Sequence, residues 1–494
     1  MAVASIRTTG EASPRIFALA GESIVNFEAS GIATSDLPGA EERSPRAPSV
    51  TLGRIVGFTL GDFACNLFWQ SISLYLLYFY TDVIGIPASI AGSIYMIASI
   101  WDGACDPIMG AICDRTRSRW GRYRPYILFG AIPLCLSFTL AYYKPPLQGL
   151  TLLGFLLCAH ILLRTCYTVV SVPYTAMSAS ITSDSRTRST VAGFRMIFAM
   201  IAGVVVAYFT QPIVAVAGKD SPATGFTTAA AIFAIIALPI LLIVFHTTRE
   251  LSHSALDDAR RLSPRDYIKV LRYNQAFWIV MIGIVCTIGC SVAFGKSILY
   301  FFKYYLHAEA SAHYALAAIC VAALAILPAW IFLERRIGKQ RAWFVATVWA
   351  LVGFLYFAAT DIDSPIAMTA LAVFVQMPLT GLVMTFWSML PDTVEYGEWR
   401  TAIRAEAFVF GLGQFVLKVA LGLGAGVFGW SLQRIGYVAN VEQTSATLHG
   451  MRTIMIVFPV ILLSMGGVAM YFYPMRGHAH AEIVAALALR ARVK

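Results

Sequence analysis

Residues 99–125 read SIWDGACDPIMGAICDRTRSRWGRYRP, and this stretch sets two carboxylates inside an apolar run that ends in a basic turn. Asp102 and Asp106 are four residues apart, so on a helix they lie on one face about one turn apart. An ionisable residue within a membrane-spanning helix costs roughly 3 kcal/mol unless it is paired or hydrated. The stretch therefore predicts a transmembrane helix with a functional acidic pair. The turn after it contains Arg115, Arg117, Arg119, Arg122 and Arg124.

The composition of the whole chain indicates a bilayer as its solvent. Its 494 residues are 58% hydrophobic and 13% charged, with a mean hydropathy of +0.70, whereas a soluble domain has about 25% charged residues. The net charge of +10 lies in short clusters between apolar segments, which is typical of cytoplasmic loops and argues against nucleic-acid binding. The nine cysteines lack metal-ligand spacing, and no enzyme motif is present. We therefore expect neither an enzyme nor a bound cofactor.

Twelve apolar segments predict an all-α integral membrane protein with two sets of six transmembrane helices. The first set is predicted at 54–81, 87–113, 125–144, 148–179, 190–217 and 224–247. The second set is predicted at 273–302, 310–333, 342–360, 365–390, 405–432 and 451–474. The basic turn after the second segment is echoed by ERRIGKQR after the eighth, as parallel repeats would give. This arrangement predicts the major facilitator fold.

These segments divide the chain into five regions. We expect a disordered cytoplasmic tail at 1–48, a first six-helix bundle at 49–247 and a cytoplasmic linker at 248–272. A second bundle follows at 273–475 and a cytoplasmic tail at 476–494. Lysine and arginine concentrate in the even-numbered connections, so both termini are predicted in the cytoplasm of a multi-pass protein of a bacterial inner membrane.

Seven acidic and basic residues other than histidine lie inside the predicted spans, away from the span ends. Two carboxylates as close as Asp102 and Asp106 repel each other, so they bind a proton or another cation between them. The alternative is a static ion pair with a nearby base. The other five could line a polar cavity that is closed by changing ion pairs: Asp62, Arg164, Arg195, Lys296 and Lys418.

Several stretches of the chain are similar to one known family. WDGACDPIMGAICDRTRSRWGRYRPYILFG in the second span resembles the signature of the glycoside–pentoside–hexuronide:cation symporters, typified by the melibiose permease. GDFACNLFWQSISLYLLYFYTDVIG, PDTVEYGEWRTAIRAEAFVFG and GYVANVEQTSATLHGM also resemble this family. The resemblance extends from about residue 51 to 475 in one order. It implies a secondary active transporter that imports a glycoside, pentoside or hexuronide together with H⁺ or Na⁺.

The resemblance also implies roles for individual residues. The family's coupling-cation site corresponds to Asp102, Asp106, Thr168 and Lys418 in this chain. Residues that contact the sugar correspond to Asp62 and Arg195, and we add Arg164, Thr168, Ser171, Thr175 and Lys296 as candidate substrate contacts. The cytoplasmic gate is expected at Arg119, Arg122, Asp392, Glu395 and Arg404.

The chain departs from the family's best-known members at four positions. Ser171 and Thr175 replace an Asp and a Trp that galactoside carriers present to the sugar, which argues against α-galactosides. Ser99 replaces an arginine, and Arg164 on the fourth span either supplies that charge or binds an acidic sugar. Cys105 replaces an amide ligand of Na⁺. A thiol is a poor ligand for a hard cation, so H⁺ coupling is favoured over Na⁺.

Two other functions remain open at this point. The excess of bases in the spans also fits a carrier of an anionic or amphipathic solute, such as a lysolipid or a glycoconjugate. A membrane sensor that transports nothing is a further alternative, for which we expect a folded soluble domain in a loop or tail. The expected partners are a small sugar and the lipid bilayer, with the chain a monomer.

Overall fold

A computed structural model describes residues 51–178, 185–248, 263–475 and 479–493. These residues form helices joined by short turns, with no strand in the four described ranges. The predicted tail at 1–48 and most of the predicted linker, residues 249–262, lie outside the described residues.

The first six long helices run from residue 52 to residue 247. Helix α1 continues without a break into two π-helical segments, Ile72–Leu76 and Phe79–Ile84. The six helices are α1 Leu52–Ser71, α2 Ala88–Arg115, α3 Arg124–Ala141, α4 Gly149–Met177, α5 Ser185–Ala217 and α6 Pro222–Thr247.

The second six long helices begin after a short amphipathic helix, α7 Pro264–Tyr273, which starts with a capping box formed by Ser263 and Asp266. Helix α8 ends in a π-helical turn, Phe301–Tyr305. The long helices are α8 Gln275–Tyr300, α9 Ala312–Ile337, α10 Lys339–Ala359, α11 Pro365–Thr401, α12 Glu406–Arg434 and α13 Ser445–Tyr471. A last helix, α14, spans Ala479–Val493.

The observed helices match the predicted spans closely in the apolar interior and differ at the ends. Helix α11 continues to Thr401, eleven residues beyond its predicted end at 390. Helix α14 lies within the segment predicted as a tail, and α7 begins in the predicted linker and ends one residue beyond it. Hydropathy marks where a helix leaves the bilayer, and a helix can continue beyond that point on its backbone hydrogen bonds.

Ten of the described helices are long and apolar enough to cross a membrane by length and composition. The other two long helices are α1 and α2, which carry the buried acids Asp62 and Asp102. Polar residues lower the hydropathy of these two helices. Their place among the other ten therefore follows from packing, not from apolar character.

Close contacts between α2 and α12 join the first six helices to the second six. A Cβ atom on Gly429 would lie 2.4 Å from the carbonyl oxygen of Ala88, so only glycine allows this approach. A Cβ on Gly422 would lie 2.7 Å from the Cβ of Ser99. Helix α5 packs along α9 in the same way on another face of the molecule. The tight seam at Ser99 leaves no room there for a long side chain.

Candidate functional site

The two carboxylates of α2 lie at the seam with α12, where Lys418 binds both of them. The Lys418 ammonium is 3.1 Å from Asp102 Oδ1 and 2.6 Å from Asp106 Oδ2. From α4, the Thr168 hydroxyl donates a hydrogen bond of 2.8 Å to Asp102 and contacts Asp106 at 3.3 Å. The spacing of four residues puts both acids on one face. The structure thus brings together all four residues of the predicted cation site.

Arg164 on α4 supplies a second positive charge to this cluster. Its Nη1 lies 3.4 Å from Asp102 Oδ2, and its Nε donates to His160 Nε2 at 3.3 Å. The guanidinium also lies over the rings of Trp69 and Tyr95. Arg164 therefore supplies a positive charge beside Asp102 while Ser99 packs against Gly422. We did not predict that His160 belongs to this cluster. Its position one helical turn before Arg164 could have suggested the contact.

The two carboxylates differ in their access to water. The side chain of Asp102 is 1% exposed, and that of Asp106 is 21% exposed. A space of about 10 Å³, about the size for one water molecule, is lined by Asp102, Arg164 and Lys418. Ser99 also lines this space, and its buried hydroxyl has no hydrogen-bond partner among the described residues. Asp106 is thus the more accessible of the two acids.

Lys418 occupies the position between the carboxylates, and this limits what other cation can bind there. Oxygen ligands nearby come from Asp102, Asp106 and Thr168, while Cys105 on the same helix contributes only a thiol. A hard metal cation prefers several oxygen ligands. It would have to displace the ammonium first, whereas a proton needs only one carboxylate oxygen.

A second ionic pair lies within the first six helices. Arg195 on α5 binds both oxygens of Asp62 on α1, at 2.7 and 3.1 Å. The Tyr174 hydroxyl on α4 donates to the same carboxylate at 2.6 Å. Ser171 on α4 is half-buried and Thr175 is exposed. This pair is fully matched in charge, and it ties α1, α4 and α5 together.

A larger cavity of about 300 Å³ lies between the two sets of helices, next to the ionic cluster. Helices α1, α2 and α5 line it from one side, and α8, α9, α11 and α12 line it from the other. Its polar lining is Gln70, Ser73, Tyr95, Ser291, Lys296 and Gln376, among a larger number of apolar residues. Of the predicted substrate contacts, Lys296 lies in this lining and Arg164 lies in the adjoining small space. The lining includes neither Asp62, Arg195, Ser171 nor Thr175.

A buried network near the ends of α1 and α8 joins the two sets of helices. Asp82 accepts hydrogen bonds from Lys303 at 2.9 Å, Tyr304 at 2.5 Å and Tyr437 at 2.7 Å. Asn440 donates to the backbone oxygen of Asp82 at 2.7 Å. The sequence analysis did not predict this site. The sequence features that could have indicated it are a single acid, Asp82, at the end of the first predicted span and a single lysine, Lys303, at the end of the seventh.

At the opposite ends of the helices, the predicted gate acids pair with residues of the second half of the chain. Lys339 binds Asp392 at 2.7 Å, and His480 of α14 lies 2.6 Å from Glu395. Asp392, Glu395 and His480 form a group whose ligand atoms lie within 4.8 Å of one another, although Lys339 already binds Asp392. The segment with His480, expected to be a solvated tail, is thus a helix packed against α11.

The basic gate residues lie in the turns at the same end. Arg404 pairs with Glu398 at 3.0 Å and with Glu406 at 2.8 Å. Arg119 lies over the ring of Trp120, and Arg122 lies in the same turn between α2 and α3. The ion pairs of Arg404 therefore stay within the second half of the chain in this conformation.

Comparison with known proteins places the chain in a family. Residues 57–477 match the family model of MFS/sugar transport proteins. An isoprimeverose transporter of Lactiplantibacillus pentosus is 31% identical over 84% of this chain and 87% of the transporter. An uncharacterized symporter of Bacillus subtilis is 29% identical over 91% of the chain and 97% of its own length. A glucuronide carrier protein homolog of Escherichia coli is 28% identical over 89% and 96%.

Solved structures show the same fold. A bacterial homologue of the human lysosomal transporter Spinster, in an inward-facing conformation, aligns with a TM-score of 0.64 and 14% identity, covering 86% of this chain and 98% of that one. A structure of a proton-dependent oligopeptide transporter aligns with a TM-score of 0.65 over 87% and 99%, at 12% identity. The predicted all-helical major facilitator fold is confirmed. The chain belongs to the MFS/sugar transport protein family, as a multi-pass membrane transporter of the glycoside–pentoside–hexuronide:cation symporter type.

Proposed function

We propose that the chain imports a small sugar or glycoside together with a proton by alternating access. The observation that carries this proposal is the position of Lys418. Its ammonium bridges Asp102 and Asp106 across the seam between α2 and α12. A change in the charge of Asp106 therefore acts directly on a contact between the two halves.

Proton coupling follows from the charges in the cluster. With Asp106 ionised, Lys418 is held at 2.6 Å. A proton on Asp106 removes this attraction and leaves the ammonium with Asp102 alone, at 3.1 Å, where Arg164 already supplies a second positive charge. Na⁺ would have to compete with a lysine that is already in place. The oxygen ligands present fit a proton better than a sodium ion.

Coupling of the two ligands then follows from their proximity. The 300 Å³ cavity and the space beside Asp102 share Ser73, Tyr95 and Leu421 in their linings. A sugar in the cavity and a proton on Asp106 thus act on the same seam. By linkage each ligand favours the binding of the other. The halves rock around the site as in other transporters built from repeats.

The rival function, transport of an amphipathic solute, would need an apolar cleft at the centre. The central cavity has a mixed lining, in which glutamine, serine, tyrosine and lysine side chains stand among a larger number of apolar residues. An apolar groove of about 430 Å³ does exist, but it lies outside the centre, between α2, α3 and α4, where Phe129 is exposed. The amide, hydroxyl and ammonium groups in the lining of the central cavity can bind the hydroxyls of a sugar, and this supports a sugar over an amphipathic solute. We further propose that the membrane is a bacterial inner membrane, with both termini in the cytoplasm.

The test is uptake by proteoliposomes in sodium-free buffer, with an inward proton gradient. The sugars are radiolabelled methyl glycosides of glucose, xylose and glucuronic acid. We expect gradient-driven accumulation of at least one of them without Na⁺. Asp106→Asn should abolish accumulation and retain sugar exchange between the two sides, because binding does not need a charge change there. Asp102→Asn should also abolish accumulation.

The matched control is Asp361→Asn, which alters a 77% exposed carboxylate that pairs with Arg452. It should accumulate sugar as the unmodified protein does. A strict requirement for Na⁺, or undiminished accumulation by Asp106→Asn, would contradict the proposal.

A further inference from the structure

We infer that the substrate is an acidic sugar, a uronide, and that Lys296 binds its carboxylate. This inference rests on the proposed function, since it names the substrate class of the same central cavity. It selects one of the three sugar classes that the resemblance leaves open.

Lys296 is a buried cation that has no acidic partner. The residue is 7% exposed, its ammonium donates to the Ser73 backbone oxygen at 2.9 Å, and it lies 4.3 Å from the centre of the Tyr95 ring. No carboxylate lies within ion-pair distance of it in the described part of the chain. By contrast, Lys303 binds Asp82 and Lys339 binds Asp392.

The charges around the cavity do not balance without an anion. Three bases, Arg164, Lys296 and Lys418, face two acids, Asp102 and Asp106. His160 accepts a hydrogen bond from Arg164 through Nε2, so its ring adds no charge. An isolated buried charge is costly. A substrate carboxylate would supply the missing negative charge, and would do so at Lys296, the base that lacks a counter-ion.

The cavity around Lys296 fits the rest of a sugar. Its volume of about 300 Å³ lies at the lower end of the range for small-molecule sites. Gln70 and Gln376 offer amide groups to sugar hydroxyls from opposite sides. Ser73 lies in the π-helical segment of α1, and π-helical turns are frequent at functional sites. The lysine thus stands at one wall of a sugar-sized space that offers several hydrogen-bonding groups among apolar residues.

The competing explanation is that Lys296 only ties α8 to α1 through the Ser73 oxygen. Such a tether would affect every substrate equally, because it acts on the shape of the protein. A carboxylate site would affect charged sugars alone. The comparison of acidic and neutral sugars of the same stereochemistry separates these two roles.

The experiment measures binding by calorimetry to the full chain in lipid nanodiscs. The probes are two pairs, methyl β-D-glucuronide with methyl β-D-glucoside, and methyl α-D-galacturonide with methyl α-D-galactoside. We expect at least one uronide to bind roughly 10- to 100-fold more tightly than its neutral partner, which is the contribution of a hydrogen-bonded charge. Lys296→Met should remove this preference, and Lys296→Arg should keep most of it.

The control is Lys144→Met, which alters an exposed lysine outside the cavity. It should bind both members of each pair as the unmodified protein does. Should Lys296→Met fail to fold, the preference of the unmodified protein and of Lys296→Arg for the uronide over its neutral partner still tests the inference. Equal binding of acidic and neutral sugars, or an equal loss of both in Lys296→Met, overturns the inference and leaves sugar symport intact. Absence of binding by all four sugars overturns it too, and gradient-driven uptake then decides the proposed function separately.

Discussion

Asp82 and Asp106 both join the first six helices to the second six, but they are held in very different ways. Asp82 has a side chain that is 1% exposed and accepts from Lys303, Tyr304 and Tyr437, all in the second half. Burial, and then the nearby Asp82 carboxylate, raise the pKa of Tyr437 well above its usual range. The tyrosine therefore stays protonated and continues to donate at physiological pH.

Asp106 is held more loosely. Its side chain is 21% exposed, and across the seam it contacts Lys418, with Thr168 of its own half at 3.3 Å. Water can reach this carboxylate, and a proton on it would break its one ion pair. The structure thus separates two tasks. We expect the contact at Asp82 to keep one end of the transporter closed, and the contact at Asp106 to respond to the proposed coupling proton.

The largest effect is expected for Asp82→Asn. The amide keeps the shape of the carboxylate but leaves the Lys303 ammonium, 16% exposed, without its counter-charge. Removing one partner of a buried ion pair costs about 3–5 kcal/mol, so the closed end should open at least about 100-fold more often. The measurement is the rate at which Cys320, in the cavity lining, reacts with a membrane-impermeant maleimide added outside. The other cysteines are replaced by serine.

Asp361→Asn serves as the control for that experiment because its partner, Arg452, belongs to the same half of the chain. It should leave the reaction of Cys320 unchanged. If Asp82→Asn also left the rate unchanged, the network around Asp82 would not be what closes this end.

A smaller effect is expected for Lys418→Gln in the same assay. The change removes both ion pairs of Lys418 across the seam. Asp102 keeps its pair with Arg164, and the partly exposed Asp106 can take up a proton, so that no unpaired charge remains. The loss is that of an ordinary hydrogen bond, and the reaction of Cys320 should rise roughly fivefold. An effect as large as that of Asp82→Asn would show that Lys418 also closes the transporter, and the division between the two carboxylates would be wrong.

Much of the fold could be predicted from the sequence, because each of the twelve long helices contains a local apolar run. The position of Asp102 and Asp106 on one face also follows from their spacing. Asp82 could not be predicted as a buried site. Its partners Lys303 and Tyr437 lie 221 and 355 residues away in the sequence, and the π-helical end of α1 carries it out of the connection in which hydropathy placed it.

The sequence likewise could not show the surroundings of the predicted gate residues or of Lys296. Asp392 and Glu395 fall beyond the predicted end of their span at 390, yet they lie on α11, because hydropathy indicates the part of a helix inside the bilayer and not its full length. For Lys296, the sequence shows a lysine within a span. Only the three-dimensional arrangement shows that this lysine alone, among those near the cavity, has no acid beside it in the described residues.

The smallest effect is expected for Arg404→Gln, a residue that the sequence analysis assigned to the gate. Its side chain is 55% exposed, and it pairs with Glu398 and Glu406 of its own half. Exposed ion pairs contribute about 0–1 kcal/mol, and here the contribution is the same whether the halves are open or closed. Labelling of Cys320 should therefore stay within about twofold of the unmodified protein. A tenfold fall would mean that Arg404 changes partners and binds the first half in another conformation. The closing contact at this end would then be ionic and exposed, in contrast to the buried contact at Asp82.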